Sequence, residues 1–325
     1  MIWLTWRQHR KQALFTLIVL AALAAIMVPT GLAMHHSFDR SGLPACLSRL
    51  GTARMVEQSE TLTRCHALSS RFQRQYSGLT SVAVLFVILP VFVGLFFGAP
   101  LVAREVEQGT HRLAWTQGVS RMRWALVKFG VIGAVTLALA AVYALGVAWW
   151  FAPPVTATGN RFGYLAFDVQ GLAPVGYTLF AVALGIYAGT VWRKVLPAMG
   201  VALVGFAGVR VAIETLARPR YMSPKTLTYS LQSTLQPNPA AGDWVYRLGV
   251  RDAAGRLVAP NAQIGPCGPA GCGEAAEALG PGAYNWQLYQ PGSRFWIFQG
   301  IETGIFLALT GLLIYLAVRR LRRIA

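Results

Sequence analysis

Charged residues are scarce in this sequence. Only 13% of its 325 residues are Asp, Glu, Lys or Arg, whereas 55% are hydrophobic, and the mean hydropathy is +0.47. Soluble domains carry about 25% charged residues. The composition therefore excludes an ordinary soluble domain and indicates an integral membrane protein.

Acidic residues are the scarcest charged type. The chain has 12 Asp and Glu against 29 Lys and Arg, which gives a net charge of +17. In a soluble protein such an excess would point to nucleic acid as the partner. Here the basic residues cluster at the edges of apolar runs, so membrane topology explains them better and no nucleic-acid partner is expected.

Motifs for catalysis and for nucleotide binding are missing from the sequence. The chain has no HExxH, no GxSxG and no GxxxxGK[ST], and Lys225 precedes Thr226 but follows Pro224 without a glycine loop. A chain of this kind cannot cradle ATP in the usual way. We therefore predict no catalytic residue and no cofactor bound by this chain itself.

Six apolar runs are long enough to span a membrane, which takes about 20 residues. The first run is too long for the apolar core of a cleavable signal sequence, about 7–15 residues, and is interpreted as a retained helix. GLFFG at 94–98 is a small-xxx-small step that lets helices approach closely, as at contacts between subunits. The predicted spans are 13–34, 79–103, 125–151, 172–192, 195–216 and 295–318.

The distribution of Lys and Arg predicts which side of the membrane each loop occupies. Segments 1–12, 104–124 with Lys128, 193–194 and 319–325 hold 14 Lys/Arg and two acids, whereas the rest of the chain holds 15 Lys/Arg and ten acids. The first set is predicted to be cytoplasmic, so both termini lie inside. Residues 1–12 fit an interfacial helix, or alternatively plain flanking charge before a span.

Three segments are then extracellular: 35–78, 152–171 and 217–294. The first has apolar residues at near-helical spacing and predicts a helical hairpin. In the third, alternating apolar residues over 244–250 and a turn at 252–255 predict a β-hairpin. The predicted fold class is an all-α polytopic membrane protein with six transmembrane helices and a small extracellular α/β elaboration.

All four cysteines fall in the extracellular segments. Disulfides persist on the oxidising side of a membrane, so this placement supports the topology. Four cysteines allow three pairings. We favour Cys46–Cys65 and Cys267–Cys272 because each closes a local loop, with free buried thiols as the alternative. No histidine lies near Cys267 and Cys272, so no metal site is expected there.

Three charged residues lie inside the predicted spans, toward the outer leaflet. Arg210 and Glu214 are four residues apart and share one helix face, and Glu302 lies in the first third of the last span. An ion at mid-bilayer costs about 2.5–3.5 kcal/mol, so such groups pair or face water. They are candidates for lining a transport pathway. The alternative is that Arg210 and Glu214 reach the interface and Glu302 pairs with a neighbour.

A compact polar stretch, residues 104–124, separates the second and third spans. Glu105 and Glu107 precede Gly109-Thr110, and Leu113 is an apolar residue that faces the cytosol. Exposed apolar groups often mark a partner site. The stretch is predicted to be a short helix that docks on a soluble protein, with an ordinary basic connector as the alternative.

The same stretch resembles the loop between the second and third spans of permease subunits of type 2 ABC exporters. LTWRQHRKQ at 4–12 and YQPGSRFWIFQGIETGIFLAL at 289–309 are similar to the start and the last span of a bacterial branch of these permeases. Gly118 departs from the pattern, because many relatives have proline there. The residues that carry the resemblance in the loop are Glu107-Gln-Gly-Thr110, Leu113, Thr116-Gln117, Ser120-Arg121, Trp124 and Lys128.

The resemblance implies a half-transporter of the type 2 ABC exporter fold in the bacterial plasma membrane. Such permeases pair as two six-span subunits, identical or paralogous, and dock on a cytoplasmic ATPase dimer that binds ATP and Mg. Carried over by position, Glu105, Glu107, Gly109 and Thr110 are the candidates for coupling to the ATPase, and Leu113 lies in the same block. A separate ATPase would explain why this chain lacks a nucleotide-binding motif.

Two other classes of function are alternatives. A non-transporting sensor or scaffold would bind a signalling partner through its cytoplasmic loop. A membrane-embedded enzyme would use Glu302, Asp168 or a histidine, but the spans show no converging acid–base set.

Overall fold

The computed structural model describes residues 2–108, 121–192, 194–265, 279 and 282–322. Its helices are α1 (Ile2–Arg40), α2 (Leu43–Leu50), α3 (Glu60–Val93), α4 (Ala99–Glu107), α5 (Arg121–Thr158), α6 (Tyr164–Val169), α7 (Ala173–Val191), α8 (Val195–Ala212) and α9 (Phe295–Leu321). Its strands are β1 (Met55–Glu57), β2 (Lys225–Ser230), β3 (Leu235–Pro237), β4 (Trp244–Arg251), β5 (Leu257–Pro260) and β6 (Tyr284–Gln290).

Six helical segments in these ranges are long and apolar enough to cross a membrane. They confirm the predicted fold class of six transmembrane helices with a small outer elaboration that contains strands. The segments are Ile18–Arg40, Glu60–Arg104, Met122–Thr158, Ala173–Val191, Val195–Arg220 and Gly292–Leu321.

Two of these helices begin more than ten residues before the apolar runs that predicted them. α1 runs without a break from Ile2 to Arg40, so residues 2–12 continue directly into the first span. α3 begins at Glu60, well before residue 79, because the Ser59 hydroxyl accepts a hydrogen bond from the N–H of Leu62 and caps the helix. The first part of α3 therefore extends the second span well beyond its predicted start.

α7 is the central helix of the bundle. It has the largest buried share of the six spans, and it packs against α3, α4, α5, α8 and α9. The approach is closest at the π-helical turn Gly94–Gly98 between α3 and α4, where a Cβ at Gly94 would lie 2.5 Å from the carbonyl oxygen of Ala181. GLFFG therefore packs closely against a helix of the same chain.

The outer segment between spans five and six folds as a four-stranded antiparallel sheet. Its strand order is β2-β6-β4-β5. β4 and β5 form the hairpin predicted at 252–255. The sequence did not reveal β2, which pairs with β6 from the far end of the segment. Because β6 leads into α9, the sheet sits directly on the outer end of the last span.

The two large outer segments are joined to each other. β1 from the first pairs with β3 from the second. The Asn238 side-chain amide donates to three carbonyl groups within residues 50–53. Arg54 Nε lies 2.8 Å from Asp243 Oδ2. The two segments thus form one connected cap at this end of the helix bundle.

The predicted Cys46–Cys65 disulfide is present. It links α2 to α3, with the two Cα atoms 5.6 Å apart. Cys267 and Cys272, the second predicted pair, lie outside the described residues.

Candidate functional site

Two arginines and two carboxylates meet in the interior at the outer ends of spans four to six. They are Asp168, Arg210, Arg218 and Glu302, and each is at most 6% exposed. Their formal charges sum to zero. Buried charges are tolerated when they are paired and hydrogen-bonded, and the cluster meets both conditions.

Glu302 is the residue that binds most partners in the cluster. It lies on α9, seven residues after the first residue of the helix, Phe295. Arg218 holds it with two bonds, from Nε to Oε2 at 2.9 Å and from Nη2 to Oε1 at 2.8 Å. The Tyr177 hydroxyl donates to Oε1 at 2.5 Å, and Arg210 Nη1 lies 3.4 Å from the same oxygen. The carboxylate thus joins α9 to both neighbouring spans.

Asp168 provides the second carboxylate, from the short helix α6 in the loop before span four. Its Oδ2 accepts from Arg210 Nη2 at 2.5 Å, and its Oδ1 accepts from Arg218 Nη2 at 2.7 Å. Each arginine therefore bridges both acids. The network ties the outer loop to spans four, five and six.

A π-helical turn at Ile213–Ala217 brings the two arginines to one side of span five. At about 100° per residue, eight residues of regular α-helix would separate Arg210 and Arg218 by about 80° around the axis. A π turn accommodates one extra residue without rotating the helix that follows. The two side chains then differ by only about 20°, which lets both reach the same acids.

Aromatic rings cover the guanidinium faces. Arg210 Cζ lies 3.8 Å from the centroid of the Tyr177 ring, and Arg218 Cζ lies 4.2 Å from that of Phe167. The ring faces attract the cations and keep them apart from water and lipid.

Gln299 fixes the loop that carries Asp168. It lies one turn before Glu302 on α9, and its Oε1 accepts from the N–H groups of Leu172 and Ala173 at 3.0 and 2.8 Å. Its Nε2 donates to the carbonyl of Phe167 at 2.9 Å. The start of α9 thus positions both acids of the cluster.

Every carboxylate oxygen in the cluster accepts a hydrogen bond. Tyr221 completes the set by donating to Glu302 Oε2 at 3.2 Å. Burial, followed by the charge of Glu302, raises the pKa of Tyr221, so its hydroxyl stays protonated. Within the part of the chain that the structure describes, no group of three or more His, Cys, Asp or Glu forms a metal site. The arrangement suits a structural ionic lock better than acid–base chemistry.

Of the predicted pathway residues, the structure brings Arg210 and Glu302 together. Glu214 lies in the π turn and is half-buried. Whether the three line a pathway stays a prediction. Sequence reasoning missed Arg218 because it follows the predicted end of span five at residue 216. It considered Asp168 only as a member of an enzyme site. A signal was available in the sequence. Arg210 and Arg218 lie at the end of span five, and the next span carries Glu302 inside the membrane.

At the end of the bundle opposite the cluster, α4 carries two of the predicted coupling residues, Glu105 and Glu107. Glu107 Oε2 accepts from the N–H of Val195, the first residue of α8, at 3.2 Å. A carboxylate is favoured there because the first N–H groups of a helix lack partners within it. The Glu105 side chain and residues Gly109, Thr110 and Leu113 lie outside what the structure describes.

Comparison with known protein families gave one match. A family model described as ABC-2 membrane transporter related matches residues 17–218. The match covers the first five spans and includes Asp168, Arg210 and Arg218. No curated protein and no solved structure matches the chain.

Proposed function

Because the chain belongs to the ABC-2 membrane transporter-related family, we propose that it is the membrane-spanning subunit of an ATP-driven exporter. The family and the six apolar helices make it a multi-pass membrane permease component, which is not itself catalytic. The family match over residues 17–218 is the observation that carries the proposal.

In this proposal a separate cytoplasmic ATPase dimer binds ATP and Mg. The absence of GxxxxGK[ST] from the sequence supports such a division of labour. The ATPase docks on residues 104–124, with Glu105, Glu107, Gly109, Thr110 and Leu113 in the contact. Both termini lie in the cytosol, and a second permease subunit, identical or paralogous, completes the transporter in the plasma membrane.

Glu107 gives the docking segment a link to two spans at once. It ends α4, which continues span two, and it bonds to Val195 at the start of span five. At the other end of α8, Arg210 enters the ionic cluster. We infer that a displacement of the docking segment moves span five as a rigid rod and reaches the outer cluster.

The cluster would keep the outer ends of spans four, five and six together as one body. For Arg210 and Glu302 to line a pathway, the ionic pairs would have to separate during transport. Glu214 already has a partly exposed side chain. Arg210, Glu214 and Glu302 therefore remain pathway candidates, and they could line a pathway only in a state in which the ionic pairs have separated.

The proposal is tested by affinity purification from gently solubilised membranes. The intact chain is expected to bring down an ATPase that contains GxxxxGK[ST]. Glu105→Ala and Glu107→Ala, singly and together, are expected to weaken the association or to uncouple ATP hydrolysis from transport. Glu107→Gln retains an oxygen that can accept from Val195, so it separates loss of charge from loss of the helix cap.

Glu57→Ala is the matched control, because Glu57 is an exposed carboxylate on the outer strand β1. It should leave the copurified ATPase unchanged. If the intact chain brings down no ATPase, the exporter proposal fails. A sensor or scaffold would then be the better interpretation of residues 104–124.

A further inference from the structure

A cavity of about 440 Å³ opens between spans one, two and three, and Thr178 of span four also lines it. Its size falls within the range of about 300–1,000 Å³ that is typical of small-ligand pockets. Spans one and two contribute Val19, Leu89 and Phe96, and span three contributes Ile132, Leu139 and Tyr143. None of the described lining residues carries a charge. The cavity therefore suits an apolar occupant.

Three side chains of the lining carry a hydroxyl group, those of Thr136, Tyr143 and Thr178, and two of these hydroxyls have partners within the protein. The Tyr143 hydroxyl donates to the carbonyl of Phe86 at 2.7 Å, and the Thr178 hydroxyl donates to the carbonyl of Pro174 at 2.7 Å. A polar ligand would find few free groups to bind. A hydrocarbon chain forms no hydrogen bonds, so it would lose none by entering the cavity.

The dimensions of the cavity match one leaflet of a bilayer. On span three it extends from Ile132 to Tyr143, a distance of about 16 Å at 1.5 Å per residue. Half of a hydrocarbon core of about 30 Å is about 15 Å. In the proposed orientation, with the start of α5 in the cytosol, the Ile132 end of this stretch lies in the inner leaflet, about 6 Å beyond Lys128 at 1.5 Å per residue.

A basic residue marks the cytoplasmic end of the lined helix face. Lys128 precedes Ile132 by four residues, so both lie on the same face of α5. Lys128 is only 5% exposed, and its Nζ lies 4.9 Å from the centroid of the Trp124 ring. Because helical side chains lean toward the N-terminus, this ammonium lies on the headgroup side of the cavity.

We propose that this cavity binds one acyl chain of an anionic phospholipid from the cytoplasmic leaflet, with the headgroup near Lys128. Occupancy of the cavity by lipid does not depend on an ATPase. Only the choice of leaflet rests on the orientation in the proposed function. The lipid site can therefore be tested even if the protein does not copurify an ATPase.

The test uses the full-length protein in lipid nanodiscs that contain phosphatidylglycerol with a diazirine in the middle of one acyl chain. After illumination, labelled peptides are mapped by mass spectrometry. Labels are expected within residues 89–97 and 132–143. Leu139→Trp fills the cavity and is expected to lower this labelling about tenfold, since a large side chain in a packed site excludes the ligand.

Leu145→Trp is the matched control. Leu145 lies on the same helix, is 72% exposed and does not line the cavity, so its labelling should equal that of the unaltered protein. If Leu139→Trp fails to fold, Val135→Trp serves in its place, because Val135 lines the cavity yet is 50% exposed. Equal labelling of the cavity variant and the control would overturn the proposal.

The headgroup is tested with the same diazirine chain on phosphatidylcholine. Lys128→Gln is expected to remove the preference for phosphatidylglycerol, whereas Lys194→Gln, at an exposed position, should retain it. No preference in the unaltered protein would contradict the anionic headgroup. If Leu139→Trp instead dissociates a dimer and leaves labelling unchanged, the cavity is an interface between copies and the proposal fails.

Discussion

At the scale of single residues, Glu302 is a carboxylate with no exposed surface in a span that is otherwise apolar. It is tolerated because two arginines and two tyrosine hydroxyls surround its oxygens. A buried ion pair adds little to the net stability of a fold. Removing one partner is nevertheless strongly destabilising, because the other charge is then left buried and unpaired.

Glu302→Ala is therefore expected to be strongly destabilising. It would leave Arg210 and Arg218 buried with Asp168 as the remaining carboxylate, at a cost of about 3–5 kcal/mol. Glu302→Gln keeps an oxygen that can accept hydrogen bonds and should lose less. The stability lost by each variant is measured by thermal unfolding in detergent, with gel filtration used to monitor the fraction that stays folded.

Glu57→Ala again provides the comparison, since removal of an exposed carboxylate should change stability by no more than about 0.5 kcal/mol. An unfolding temperature for Glu302→Ala equal to that of Glu57→Ala would show that the cluster does not stabilise the fold. If Glu302→Gln also retained full transport, Glu302 would leave the list of pathway candidates.

At the scale of elements, the π turn in span five decides which side chains face the cluster. The spacing of Arg210 and Arg218 fits one helix face only because this turn accommodates an extra residue. Removing one residue there should restore a regular α-helix without rotating Arg218. Adding one should rotate it by about 100°.

Deletion of Thr215, whose side chain is exposed, is therefore expected to be tolerated. Insertion of one alanine after Thr215 is expected to break the network and to destabilise the protein about as much as Glu302→Ala. Thermal unfolding of the two variants side by side checks the prediction. The opposite order of stability would refute this account of the π turn.

The contact between spans two and four depends on glycine. A Cβ at Gly94 would meet the backbone of Ala181 at 2.5 Å, whereas a Cβ at Gly133 would meet nothing within 4 Å. Gly94→Ala should cost about 1–3 kcal/mol through overpacking.

Gly133→Ala is expected to be neutral or slightly stabilising, because alanine favours the helix over glycine. The yield of folded monodisperse protein compares the two variants. Equal yields would mean that the close approach of spans two and four can relax without cost.

At the scale of the whole molecule, the outer cap and the basic inner segments give the protein two different faces. The cap contains the Cys46–Cys65 disulfide and the pairing of β1 with β3. Disulfides persist outside the cytosol. The excess of Lys and Arg on the opposite side agrees with that orientation.

This orientation is tested with two epitope tags. A tag inserted between Ala253 and Ala254, in the exposed turn of the outer hairpin, should bind antibody on intact spheroplasts. A tag after Ala325 should bind only after permeabilisation. The reverse pattern would invert the topology and would move the proposed lipid cavity to the outer leaflet.

The sequence by itself determined the number of spans, the β-hairpin at 252–255 and the local Cys46–Cys65 disulfide. Each depends on residues close together in the chain, whose hydrophobic run, alternation or spacing already specifies the structure. The tertiary structure alone decided that Asp168 joins Arg210, Arg218 and Glu302, that Glu107 caps the helix of span five, and that β1 pairs with β3. These contacts join segments that are distant in sequence, and they form only when the helices pack, because packing determines which polar groups are withdrawn from water and must find a partner.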